Sequence, residues 1–193
     1  MFKLLGKKCL ILSLPFLVLF CSQVEKGVKP DDRIRISRLS PKKVQFRLSS
    51  YHYILAQLKR HEGDLDGTID EFKQAITYDP KSALLHVELA KLYIQKDDED
   101  LIDDAIAECK KALSINRNFV PARIVLGGLY TSIKKSSLAI EQYRKVLRID
   151  PENQQAYLHL ASLYYRELQQ FDEAIETLEK LIDKFPDHIL GLY

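Results

Sequence analysis

From Ser49 onward the apolar residues fall at helical spacing. Ile69, Phe72 and Ile76, and later Ile140, Tyr143 and Leu147, occupy i, i+3 and i+7 and so line one side of a helix. The pair Leu-(Ala/Gly) recurs at Leu55-Ala56, Leu89-Ala90, Leu126-Gly127 and Leu160-Ala161, separated by 34, 37 and 34 residues. Four residues after each Leu stands Tyr93, Tyr130 or Tyr164, with Lys59 in the first copy. A second small residue follows (Thr68, Ala105, Ala139, Ala174), and a bulkier one four positions on (Phe72, Cys109, Tyr143, Leu178). The motif closes at Pro80, Arg117, Pro151 or Pro186, always 12 residues after the second small residue. Between the two small residues the spacing is 12, 15, 12 and 13, so length varies only where one helix turns into the next. The pattern predicts two helices per copy. Asp66, Ser137 and Asp172 stand where N-caps would open the second helices. Asp79-Pro80 and Asp150-Pro151 would end them, because a residue before proline avoids the α region. Small residues let paired helices approach closely. Neither helix buries its face alone, so neighbouring copies must stack.

These residues resemble the tetratricopeptide repeat, whose unit is about 34 residues. The resemblance implies an all-α fold, a right-handed α-solenoid of stacked helix-turn-helix units. Four units fit, at 49–82, 83–119, 120–153 and 154–188. Residues 189–193 read as the opening of a fifth unit. An open end of that kind implies either a piece of a longer array or a face covered by a partner or a second copy. In this family the first helices line a concave groove that holds extended or helical peptides. By register, one row across that groove is Tyr53, Val87, Ile124 and Leu158, apolar in every unit. A second is Gln57, Lys91, Gly128 and Ser162, and a third is Arg60, Ile94, Thr131 and Tyr165, flanked by His61, Gln95, Ser132 and Arg166. The apolar row reads either as a hydrophobic peptide groove or as side chains packed between neighbouring helices. Arg60, Lys91 and Arg166 are placed to meet acidic groups at the rim. The Asn-plus-basic set with which some family members grip chaperone C-termini does not occur in register.

Charge divides the chain. Residues 1–48 hold 11 of the 29 Lys and Arg but 3 of the 27 Asp and Glu, leaving 18 basic and 24 acidic residues in the remainder. An acidic body behind a basic front argues for a tether near anionic membrane and against a nucleic-acid partner. Lys3, Lys7 and Lys8 precede a 12-residue apolar run, Cys9 to Phe20, which is too short to span about 30 Å of hydrocarbon as a helix. Residues 1–20 therefore read as an export signal. The first alanine is Ala56, so an Ala-x-Ala cleavage site is lacking. Leu17-Val18-Leu19-Phe20-Cys21 instead resembles the lipobox of bacterial lipoproteins, although Phe20 is bulkier than the residue usual before the cysteine. That resemblance implies lipidation at Cys21, a basic linker over 21–48 and an envelope location, with Ser22 pointing to the outer membrane. An uncleaved membrane-associated segment is the alternative.

The remaining chemistry is sparse. His52 and His86 repeat because the unit repeats, and His86-Val87-Glu88 lacks the P-C-x-x-C that would complete a zinc site. No H-E-x-x-H, G-x-G-x-x-G, Walker A or G-x-S-x-G motif occurs. No cofactor or metal is expected, and Cys109 reads as a small core residue. The expectation is a non-catalytic scaffold for a protein or peptide partner. The alternative is the repeat region of a longer enzyme, such as a glycosyltransferase carrying such arrays.

Overall fold

A computed structural model describes residues 40–186. The export signal, Cys21, most of the linker and the segment 189–193 lie outside the described residues. The chain divides into two units, Met1–Val44 and Gln45–Tyr193, and the repeats occupy the second.

Eight α-helices follow one another, with no strand among the described residues. They are α1 (Pro41–His61), α2 (Leu65–Tyr78), α3 (Ala83–Gln95), α4 (Ile102–Ile115), α5 (Val120–Ser132), α6 (Ser136–Ile149), α7 (Gln154–Arg166) and α8 (Phe171–Lys184). Odd and even helices pair within units, and even helices pack against the odd helix that follows. The result is an α-solenoid. The first helix starts at Pro41, ahead of the Ser49 boundary read from the repeat, so the linker shortens at its C-terminal end. The extra residues of the second unit form a 3-10 turn, Glu99–Leu101, in the connection between α3 and α4. The insertion is thus absorbed where the spacing placed it.

The predicted N-caps require correction. Asp66, Ser137 and Asp172 lie inside the first turns of their helices. The side chain that caps α2 is Asp64, which accepts from the Gly67 N–H at 2.9 Å, while Lys135 and Gln170 open α6 and α8 without a side-chain cap. Asp66 and Asp172 instead place negative charge on the positive end of the helix dipole. The predicted ends hold: Asp79 and Asp150 both leave the helix at φ −133° before their prolines. Asn116 adopts the same φ ahead of Arg117, so α4 stops there without a proline.

The core runs through all four units. Phe72, Cys109 and Tyr143 are fully or almost fully buried against Ala56, Ala90 and the tyrosines of the first helices. Burial pushes the Cys109 thiol up to about 12, which keeps it protonated and inert. Gly127 is a packing requirement: a Cβ there would stand 2.7 Å from the Tyr143 ring. In all four units the chain turns positive in φ just after the first helix, at Gly63, Asp97, Lys134 and Gln169, and only the first of these is a glycine.

One polar position recurs along the inner side of the array. His86 of α3 is buried between Glu108 of α4, at 2.5 Å from Nδ1, and the Pro80 carbonyl, at 3.2 Å from Nε2. Arg123 of α5 donates to Gln142 of α6 at 3.1 Å and to the Arg117 carbonyl, again six residues back. Tyr157 of α7 donates to the Pro151 carbonyl at 3.3 Å. Each side chain ties a first helix to the turn that precedes it, and His86 and Arg123 also reach the second helix. In the first unit His52 meets Glu71 at 2.7 Å. The hydrogen bond to Glu108 raises His86 above 6.5 against the effect of burial. Burial would raise the Glu108 carboxyl, but hydrogen bonds from His86 and Lys111 outweigh it and hold Glu108 below 4.5.

Candidate peptide-binding groove

The odd helices place the predicted groove residues along one side, but not as a uniform apolar row. Val87 is fully buried, packed with Ala112 of α4 and Ala122 of α5. Tyr53 is half-buried with its ring edge-on to Phe72 at 5.8 Å, and Ile124 is half-buried against the core. Leu158 alone of that row is exposed. Along this row Val87 is therefore packed between helices, while Tyr53 and Ile124 are only partly covered. The reason is geometric: α3 touches α5 as well as α4, so this position closes the seam between successive first helices.

The predicted cations divide. Arg60 donates to Glu88 at 3.2 Å and Lys91 to the other oxygen of the same carboxylate at 2.8 Å. Burial raises Glu88, but the two cations outweigh it and its carboxyl lies below 4.5. Arg60 and Lys91 are thus committed to each other's partner. Glu88 was missed at the rim, although its i,i+3 spacing from Lys91 is visible in the chain. Gln57 is half-buried beside them, and Ile94 is exposed at the end of α3.

The rest of the predicted site converges on the last two units. Gly128, Thr131 and Ser132 of α5, Tyr143 of α6, and His159, Ser162, Arg166 and Glu167 at α7 surround a cavity of about 330 Å³. Gly128 keeps the mouth open, since a Cβ there would meet nothing nearer than the Tyr143 hydroxyl at 4.0 Å. The Thr131 hydroxyl donates to the Gly127 carbonyl at 3.0 Å and the Ser132 hydroxyl to Leu129 at 2.8 Å, leaving both oxygens free to accept. The His159 ring stacks on Tyr143 with centroids 5.2 Å apart. Desolvation pushes His159 below 6.5, so the imidazole is neutral at pH 7, and burial pushes the Tyr143 phenol upward. A guanidinium, a neutral imidazole and three hydroxyl-bearing side chains around an open mouth suit the backbone and polar groups of an extended chain. Tyr143 and His159 were not read as site residues. The signal was Gly127-Gly128 facing a tyrosine where the other units carry Phe, Cys or Leu.

Leu158 and Tyr165 belong to a second, apolar cavity of about 400 Å³ between α7 and α8, with Phe171, Ile175 and Leu178 on its far wall. Ser162 borders both cavities. Among the described residues, no three His, Cys, Asp or Glu side chains are grouped to hold a metal ion, and no helix is long and apolar enough to cross a membrane.

The helix pairing and register define a tetratricopeptide-type α-solenoid, and comparison with known proteins agrees. A tetratricopeptide repeat model matches residues 134–192. The tetratricopeptide repeat protein 21 homolog of Caenorhabditis briggsae is 30% identical over 104 residues, 54% of this chain and 8% of that protein. The chain thus spans under a tenth of that relative's length. Among solved structures, MamA superposes with a TM-score of 0.60 at 28% identity, over 68% of this chain and 74% of its own. YrrB, a TPR protein with an unusual peptide-binding site, gives 0.61 at 22% identity over 75% and 72%. The chain thus has the fold of the tetratricopeptide-type solenoids and matches the repeat itself over residues 134–192.

Proposed function

We propose that the chain is a non-catalytic interaction scaffold that binds an extended peptide segment of a partner protein in the groove between α5 and α7. The observation that carries this is the polar cavity lined by Gly128, Thr131, His159, Ser162 and Arg166. A peptide laid there exchanges backbone hydrogen bonds with hydroxyls and imidazole, and offers an acidic or carbonyl group to Arg166. The peptide-binding site of YrrB supports the reading by analogy of fold. The basic front of the chain and the lipobox-like run ending at Cys21 support a scaffold tethered to a bacterial membrane, serving an envelope assembly.

Gly128→Arg tests the groove. An arginine there fills the mouth and improves helix propensity, so folding should be kept. Peptides selected from a display library on the native chain should lose at least tenfold in affinity for this variant, at a melting temperature no lower than that of the native chain. Equal affinity would remove the groove. Fatty-acid labelling of the chain in a bacterial host, against Cys21→Ala, tests the tether, and equal labelling would exclude lipidation there.

A further inference from the structure

The two ends of the array expose residues that the interior buries. Leu92, Leu129 and Leu163 hold the same register position in α3, α5 and α7 and are 1%, 4% and 2% exposed, whereas their counterpart in α1, Leu58, is 56% exposed. At the other end, Phe72, Cys109 and Tyr143 are 0%, 0% and 2% exposed, and their counterpart in α8, Leu178, is 39% exposed. Tyr51 of α1 and Ile175 of α8 are exposed in the same way beside them. Each interior joint is one such α8-like face closed by one α1-like face. The outer faces are therefore the two halves of a joint the molecule already makes three times.

We propose that these halves close on each other between molecules: α8 of one copy receives α1 of the next, in the register of the interior joints. Charge favours this occupant over an unrelated apolar helix. At two of the three interior joints a cation on the second helix meets the tyrosine of the next first helix: Lys73 Nζ lies 5.8 Å from the Tyr93 ring centre, and Arg144 donates to the Tyr164 hydroxyl at 2.7 Å. At the outer faces both members change together, to Glu179 and Lys59, which carry opposite charges, with Lys59 loosely shared with Glu71 of its own unit at 3.5 Å. The joint between the first two units also pairs Arg60 with Glu88. The corresponding outer positions are Tyr165 and Ile54, both exposed and both apolar. One contact opposes the match. Where Lys96 meets Asp66 inside, Asp172 would face Glu62, a surface repulsion that salt screens. The contact is heterologous, so it forms open rows unless the rotation closes a ring. It leaves the polar cavity accessible and does not depend on the peptide reading.

Sedimentation of the full chain with two blocked variants provides the test. Leu58→Asp spoils the α1 face and Leu178→Asp the α8 face, and both substitutions fall on exposed side chains that the fold can spare. The native chain should grow in mass with concentration across the micromolar range. Each variant alone should stay monomeric, because every copy lacks the same half of the contact. An equimolar mixture should give dimers and nothing larger, since one intact face of each kind remains. A native chain that stays monomeric would overturn the proposal, as it would if some other segment of the chain covers α8. Variants that assemble like the native chain, through another surface or through lipid, would overturn it too, as would a mixture without dimers.

Discussion

The second and fourth units are built on one register, yet the same positions have different fates in them. In the second unit Val87, Leu92 and Cys109 are sealed by helices on both sides. In the fourth, Leu158 and Leu178 stand open at the positions of Val87 and Cys109. A repeat position in a solenoid is thus not inherently core or surface. Its burial is decided by whether a neighbour stacks there.

Substitutions at one register position sharpen that contrast most strongly. Phe72→Ala should cost about 3–5 kcal/mol in urea unfolding, because it empties a fully enclosed site. Leu178→Ala, its counterpart on the open face, should cost less than about 1 kcal/mol when the chain is monomeric, since little packing is lost. Equal losses would break the comparison. Within one helix, Gly127→Ala should destabilise by about 1–3 kcal/mol because the Tyr143 ring must move. The adjacent Gly128→Ala, facing the open cavity, should gain about 0.5–1 kcal/mol from helix propensity alone.

The interior clasp adds a pH dependence of its own. His86 is raised, so its contribution is complete below 6.5 and fades as pH climbs through its raised value. Glu108 is lowered, so its contribution is complete above 4.5 and fades as pH falls through its depressed value. Stability from this pair is therefore greatest between those limits. Melting temperature should fall from pH 6 to pH 9, and His86→Gln should flatten that slope; an unchanged slope would assign it elsewhere. The smallest effect is expected at the turns. Lys134→Gly relieves a left-handed conformation at φ 58° and should stabilise by about 0.5 kcal/mol, after the greater chain entropy of glycine is set against it.

Helix number, pairing and the location of insertions were legible because they depend on spacing alone. Leu-Ala pairs and Asp-Pro ends mark each unit whatever surrounds it. The site was legible only in part. Thr131, Leu158, Tyr165 and Arg166 line cavities, because late-unit first helices are open. Val87 was left open between groove and packing because a valine that seals two helices has the same sequence signature as one that faces a ligand. Arg60 and Lys91 do meet an acidic group, but register shows the cation and not the carboxylate, Glu88, that holds it. The caps each erred by two residues: Asp64 lies just outside the pattern that drew attention to Asp66. Nothing in the apolar spacing marks Asp97 and Lys134 as left-handed, since glycine is the usual sign and is present only at Gly63.

The central claim is that the polar surface between α5 and α7 is where a partner binds. Backbone amide spectra of the labelled chain, recorded while a selected peptide is titrated in, test it most directly. The account predicts that shifts concentrate at Gly128, Thr131, Ser132, His159, Ser162 and Arg166. Shifts confined to the even helices, with those six amides unmoved at saturation, would contradict it.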